Sequence, residues 1–70
     1  MRISARNQLT GTVVAIDRGA VNALVRIEVA PGLVITSSIT NDAVEELDLV
    51  EGAQAVALIK ASSVMVGIQD

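Results

Sequence analysis

Three stretches with strand periodicity, one short stretch with helical periodicity and two more strand-like stretches follow one another along this chain. That order predicts an all-β fold with one short helix, a five-stranded OB-type Greek-key barrel. At 70 residues the chain is a single domain, residues 1–70, and its core must be unusual. The hydrophobic fraction is 51% with no Phe, Tyr or Trp, so Val, Ile, Leu, Ala and two Met do the packing. Closing such apolar strands into a barrel also protects edges that would otherwise template aggregation. A small SH3-like barrel is the rival architecture.

Each element has its own signal. Residues 9–16, LTGTVVAI, are rich in β-branched types and end at Asp17-Arg18-Gly19-Ala20, a turn signal in which Gly19 can supply a positive φ. Residues 21–30 alternate, with Val21, Ala23, Val25, Ile27 and Val29 on one face and Asn22, Leu24, Arg26 and Glu28 on the other. This is the pattern of a half-buried strand. Pro31-Gly32 suits the centre of a type II turn, and LVITSSI returns as a third strand. The period then changes: Thr40 reads as an N-cap before a short helix that carries Val44 and Leu47. Gly52 closes the connection, and AQAVALIKA and SSVMVGIQ read as the fourth and fifth strands, joined near Ala61, Ser62 and Ser63.

Composition excludes several functions. With neither His nor Cys, the Ser-His and Cys-His nucleophilic pairs are absent, and nothing surrounds Lys60 that would make a Ser-Lys site, so no enzyme is expected. Single-stranded nucleic acid needs aromatic platforms and a basic groove, whereas this chain has no aromatic residue and a net charge of −3. Asp42, Glu45, Glu46, Asp48 and Glu51 lack the spacing of a calcium loop and read as a solvated helix face. No apolar run approaches the roughly 20 residues that cross a bilayer, and the opening MRISARN lacks the apolar centre of a secretory signal. A cytoplasmic location without a membrane partner is the expectation.

Self-association is also expected. A domain of this size buries only about 60% of the surface its unfolded chain exposes, and disulfides are impossible without Cys. The apolar surface left over calls for a second copy.

The residues that can carry chemistry are donors. In residues 4–11, SARNQLTG, an extended backbone would set Ser4 and Arg6 on one side, with Gln8 and Thr10 following. Lys60 interrupts AVALIKA on the side of Val56 and Leu58. It either snorkels to the barrel rim or is a partly buried ammonium awaiting an anion. A tetrahedral oxyanion needs hydroxyls, backbone N–H groups and one or two cations arriving from several directions. A pocket of donors alone also disfavours hydrogen phosphate, whose own O–H would find no acceptor.

SARNQL, GAVNA after the first turn, ITSSIT entering the helix, VEELDLVEG and LIKASSVMVGI together closely resemble the molybdate-binding Mop proteins, or molbindins, of the TOBE group. The resemblance covers essentially the whole chain. It implies an OB-type barrel whose subunits exchange strands and assemble as a homohexamer, a trimer of dimers. It also implies a ligand, molybdate or tungstate oxyanion, bound between subunits without an organic cofactor, for storage and homeostasis. Carried over by position, Ser4, Ala5 and Arg6 contribute hydroxyl, backbone and guanidinium, and Lys60, Ala61 and Ser62 complete that side. A neighbouring subunit contributes Thr40 and the backbone around Ala43, where relatives often carry Ser. A second class of site near symmetry axes falls on the backbone of Ala20, Val21 and Asn22.

Overall fold

The computed structural model describes every residue from Met1 to Asp70. Four strands, β1 (Asn7–Arg18), β2 (Asn22–Ala30), β3 (Leu33–Thr40) and β4 (Gln54–Ile59), form one antiparallel sheet in the order β3-β2-β1-β4. This is a Greek-key arrangement, in which three consecutive strands are joined by a fourth that returns beside the first. A short helix, α1 (Asn41–Glu46), lies in the returning connection, and a 3-10 turn, Ala61–Ser63, follows β4.

β1 organises the sheet because it serves two partners. Its residues 7–12 pair with β4, and from Thr12 to Arg18 it pairs with β2. Within the β2-paired half, two residues past the crossover at Thr12, Val14 is inserted as a bulge, so the strand bends and the sheet curls on itself. The connection before β4 is tied to the same place: Val13 donates to Ala53 O at 2.9 Å and accepts from Gly52 N at 2.8 Å. Gly11, just before the bulge, lies against β2. A Cβ there would clash with the Glu28 carbonyl oxygen and sit 2.8 Å from Ile27 Cγ2.

The interior is small. Val13, Ala23, Val25, Ile27, Val44 and Ala57 form the buried cluster, and the alternation read in residues 21–30 is visible in β2, where Ala23, Val25 and Ile27 are buried. The Pro31-Gly32 turn is also as expected, with Gly32 at φ 76° and Ala30 opposite Leu33. Only 7 of 70 residues are buried, while Met65, Val66 and Ile68 stand about 90% exposed. A core of this size leaves the chain with apolar surface it cannot cover by itself.

The helix begins as its sequence signal requires: Thr40 is the N-cap, and its Oγ1 accepts from Ala43 N at 3.0 Å. It ends in a Schellman motif, with Leu49 N donating to Val44 O at 3.0 Å and Asp48 N to Glu45 O at 3.1 Å. Asp48 occupies the left-handed position, φ 52°, where glycine is usual. The pay-off is that Val44 is 1% exposed and Leu49 packs against the same cluster.

Six details depart from the sequence expectation, the first two being that Val21 precedes β2 and Leu47 follows α1, both of them exposed. The sheet has four strands, not five, because residues 65–70 make no hydrogen bond with any other part of the chain and Val64 bonds only to Ala61 O of its own turn. Apolar periodicity there reports a face that wants burial, and a strand also needs a neighbour for its N–H and C=O groups. Residues 4–6 precede β1 and are not extended ladder. β4 stops at Ile59, so Lys60 is an exposed residue heading the 3-10 turn, not a buried ammonium within this chain. Gly19 keeps an ordinary φ, its turn being closed by Gly19 N donating to Asn22 O at 2.7 Å.

Gly11→Ala is expected to lower stability by about 1–3 kcal/mol through forced overpacking between β1 and β2. Urea denaturation at matched chain concentration reads this directly, and an unchanged midpoint would mean that the two strands can part without cost.

Candidate functional site

The first group of expected site residues meets at the start of β1. Asn7 stands opposite Ile59 in the β1–β4 ladder, and its Nδ2 donates to Ile59 O at 3.1 Å. Residues 4–6 and 60–62 therefore leave the sheet side by side. Gln8 Nε2 donates to Ala5 O at 3.1 Å, which ties the N-terminal segment back onto β1, and Ala5 is 8% exposed. Ser63 N donates to Lys60 O at 2.9 Å and fixes the turn that carries Ala61 and Ser62. Ser4, Arg6, Lys60, Ala61 and Ser62 are exposed.

The charge around this end is one-sided. Arg18 is paired with Glu45 at 3.0 Å and Arg26 with Asp17, whereas Arg2, Arg6 and Lys60 have no acidic partner. Residues 1–16 and 52–69 contain no carboxylate at all. The acidic residues that make the chain net negative are gathered in 17–51, apart from Asp70. An anion at the start of β1 therefore meets guanidinium and ammonium groups whose charge is not already neutralised.

The second group meets at the far end of the same strand. Asn22 stands opposite Thr40 in the β2–β3 ladder, and Asn41 N donates to Val21 O at 2.7 Å. Ala20, Val21 and Asn22 thus lie against the start of α1. The N–H of Ala43 is already donated to Thr40 Oγ1, whereas the Thr40 O–H is unshared. Ala20 and Val21 donate no backbone hydrogen bond within the chain. Asp42, in the first turn, is exposed.

The two groups do not come together in one chain. They sit at opposite ends of β1, a strand of 12 residues, which spans roughly 30 Å even when twisted. A direct hydrogen bond reaches about 3 Å. One end carries cations and the hydroxyls of Ser4 and Ser62, the other a threonine hydroxyl and free turn amides. Asn41 has no place among the sequence-derived candidates, although its side chain and main chain both hold the turn at residues 19–22. Its only sequence signal is an amide at the first helical position, where capping does not need one.

Thr40→Ala is expected to cost about 1 kcal/mol of stability through the lost N-cap. Thermal melts at equal chain concentration test it, and a variant as stable as the wild type would show that the Ala43 N–H finds another acceptor.

Comparison with known proteins places these features in a family. Residues 3–66 match the model of the TOBE domain. The chain is 54% identical, over 99% of its own length and 100% of the relative's, to a "Probable molybdenum-pterin-binding protein" of Haemophilus influenzae. Its fold matches that of MopII from Clostridium pasteurianum with a TM-score of 0.89 at 49% identity, covering 96% of this chain and 100% of that one. It also matches the cytoplasmic molybdate-binding protein ModG, in a form with molybdate bound, with a TM-score of 0.93 at 54% identity over 99% of this chain and 49% of that one. With the domain model spanning nearly the whole chain and full-length relatives at this level of identity, the chain belongs to the molbindin (Mop) family of TOBE domains.

Proposed function

We propose that this protein binds molybdate, and tungstate by the same chemistry, in sites closed between copies of itself, and that it stores and buffers the oxyanion in the cytoplasm without catalysing a reaction. The observation that carries the reading is the division of donors between the two ends of β1. Arg6, Lys60, Ser4, Ser62 and the backbone of Ala5 and Ala61 supply charge and hydrogen bonds from one copy. Thr40 and the segment leading to Ala43 supply the remainder from another, and Ala20, Val21 and Asn22 offer a second set of amides. Every group is a donor or can act as one, which suits a fully deprotonated tetrahedral dianion and penalises hydrogen phosphate.

The assembly we propose is a homohexamer built as a trimer of dimers. Two features favour self-association: the unpaired apolar tail at 64–68, and an open groove of about 430 Å³ lined mainly by apolar side chains including Val25, Ile27, Ile39, Leu49 and Leu58. A tail from one copy seated in the groove of another would supply the fifth strand. The ligand is the bare oxyanion and not a pterin, since the chain has no aromatic ring against which a pterin could stack.

Titration calorimetry with sodium molybdate, against sulfate and phosphate, tests the reading. Saturable heat is expected with molybdate and little with phosphate, and no heat with molybdate would reject it. Lys60→Ala should leave the assembly intact and weaken binding by roughly 10- to 100-fold, the loss of one charge-assisted hydrogen bond. Wild-type affinity in that variant would place the anion elsewhere.

A further inference from the structure

Asn41 is the one side chain that joins α1 to the turn between β1 and β2 by hydrogen bonds to the turn's backbone. Its main-chain N–H holds Val21 O at 2.7 Å, and its side-chain Nδ2 holds Gly19 O at 3.0 Å. A third bond, Gly19 N to Asn22 O at 2.7 Å, closes the turn on itself. Three carbonyls of this four-residue turn are therefore engaged. In contrast, the N–H groups of Ala20 and Val21 donate to nothing in the chain, and both residues are exposed. Successive backbone amides left free in a fixed turn form a concavity suited to an anion.

The side-chain amide of Asn41 is committed in one orientation. Its Nδ2 is needed against the Gly19 carbonyl, and the flipped amide would set two acceptors against each other. Its Oδ1 is buried without a partner in the chain. Arg18, on the other side of the turn, pairs with Glu45 and is exposed, so it tethers the helix without touching the turn carbonyls.

We infer that Asn41 is a positioning residue: by fixing the Gly19 and Val21 carbonyls it holds the Ala20 and Val21 amides in the geometry that takes a tetrahedral oxyanion. The inference rests on the proposed binding of molybdate and adds the residue on which the turn site depends. Asn41 does not touch the anion. Its contribution is conformational, since amides free to reorient would have to be ordered on each binding event.

Asn41→Asp keeps size but places an acceptor against Gly19 O, and Asn41→Ala keeps only the main-chain bond to Val21. Amide spectra of the ¹⁵N-labelled full-length protein, titrated with sodium molybdate, report each segment separately. In the wild type, the signals of Ala20 and Val21 and those of Ala61 and Ser62 should all shift. In both variants, the Ala20 and Val21 response should weaken by about tenfold or more, with Ala61 and Ser62 unchanged and sedimentation showing the same assembly. Equal loss at both segments, or a collapsed spectrum in both variants, would assign Asn41 a folding role and overturn the inference. So would a wild-type response at Ala61 and Ser62 without one at Ala20 and Val21, or variants that respond like the wild type. Absence of any response in the wild type would instead reject molybdate binding itself.

Discussion

β1 spends its first half hydrogen-bonded to β4 and its second half to β2, exchanging one for the other at Thr12, just before the Val14 bulge. The candidate site residues are all placed by that double pairing. The β4 ladder brings residues 4–6 beside residues 60–62. The β2 ladder, through β3, brings the turn at 19–22 beside the start of α1. Because both ladders are built on one continuous strand, its length separates the two donor groups. In the proposed site, the strand that assembles each donor group also keeps one chain from closing both on a single ion.

The energetics point the same way. With 7 buried residues and neither disulfides nor aromatic rings, the chain has little to set against its conformational entropy. β3 and β4 are the edges of the sheet, and residues 65–70 carry unpaired backbone groups and exposed Met65, Val66 and Ile68. Unpaired edges and an unpaired apolar segment are each a liability in a monomer. In the oligomer proposed here each satisfies the other, and folding, assembly and ligand binding become parts of one process.

Local rules made much of this legible. The alternation in β2 from Ala23 onward, the Pro31-Gly32 turn and the Thr40 cap depend on neighbours in sequence and stand in the structure as the residues suggest, whereas Val21 falls outside the strand. The tail at 64–70 does not, because its periodicity says that one face is apolar and nothing about which molecule covers it. Lys60 was ambiguous for a related reason: alternation assigns it a face, but β4 ends one residue earlier. Asn41 was invisible because its partners, Gly19 and Val21, are backbone carbonyls some 20 residues away, which no side-chain pattern announces. Ser4, Arg6 and Lys60 were recognisable as donors for an anion from their chemistry, whereas the division of a site between the two ends of β1 was suggested only by the family resemblance.

A net charge of −3 looks wrong for the dianion binding proposed here. Its distribution removes the conflict, since carboxylates are absent from the segments carrying Arg6 and Lys60, and more distant ones are screened over about 10 Å. What remains to be tested is whether binding needs more than one chain. Native mass spectrometry of the full-length protein, with and without sodium molybdate, addresses this in one experiment. Bound anions are expected on the hexamer and on no monomer, with the hexamer persisting when molybdate is withheld. A monomer carrying molybdate would contradict the division of the site between copies.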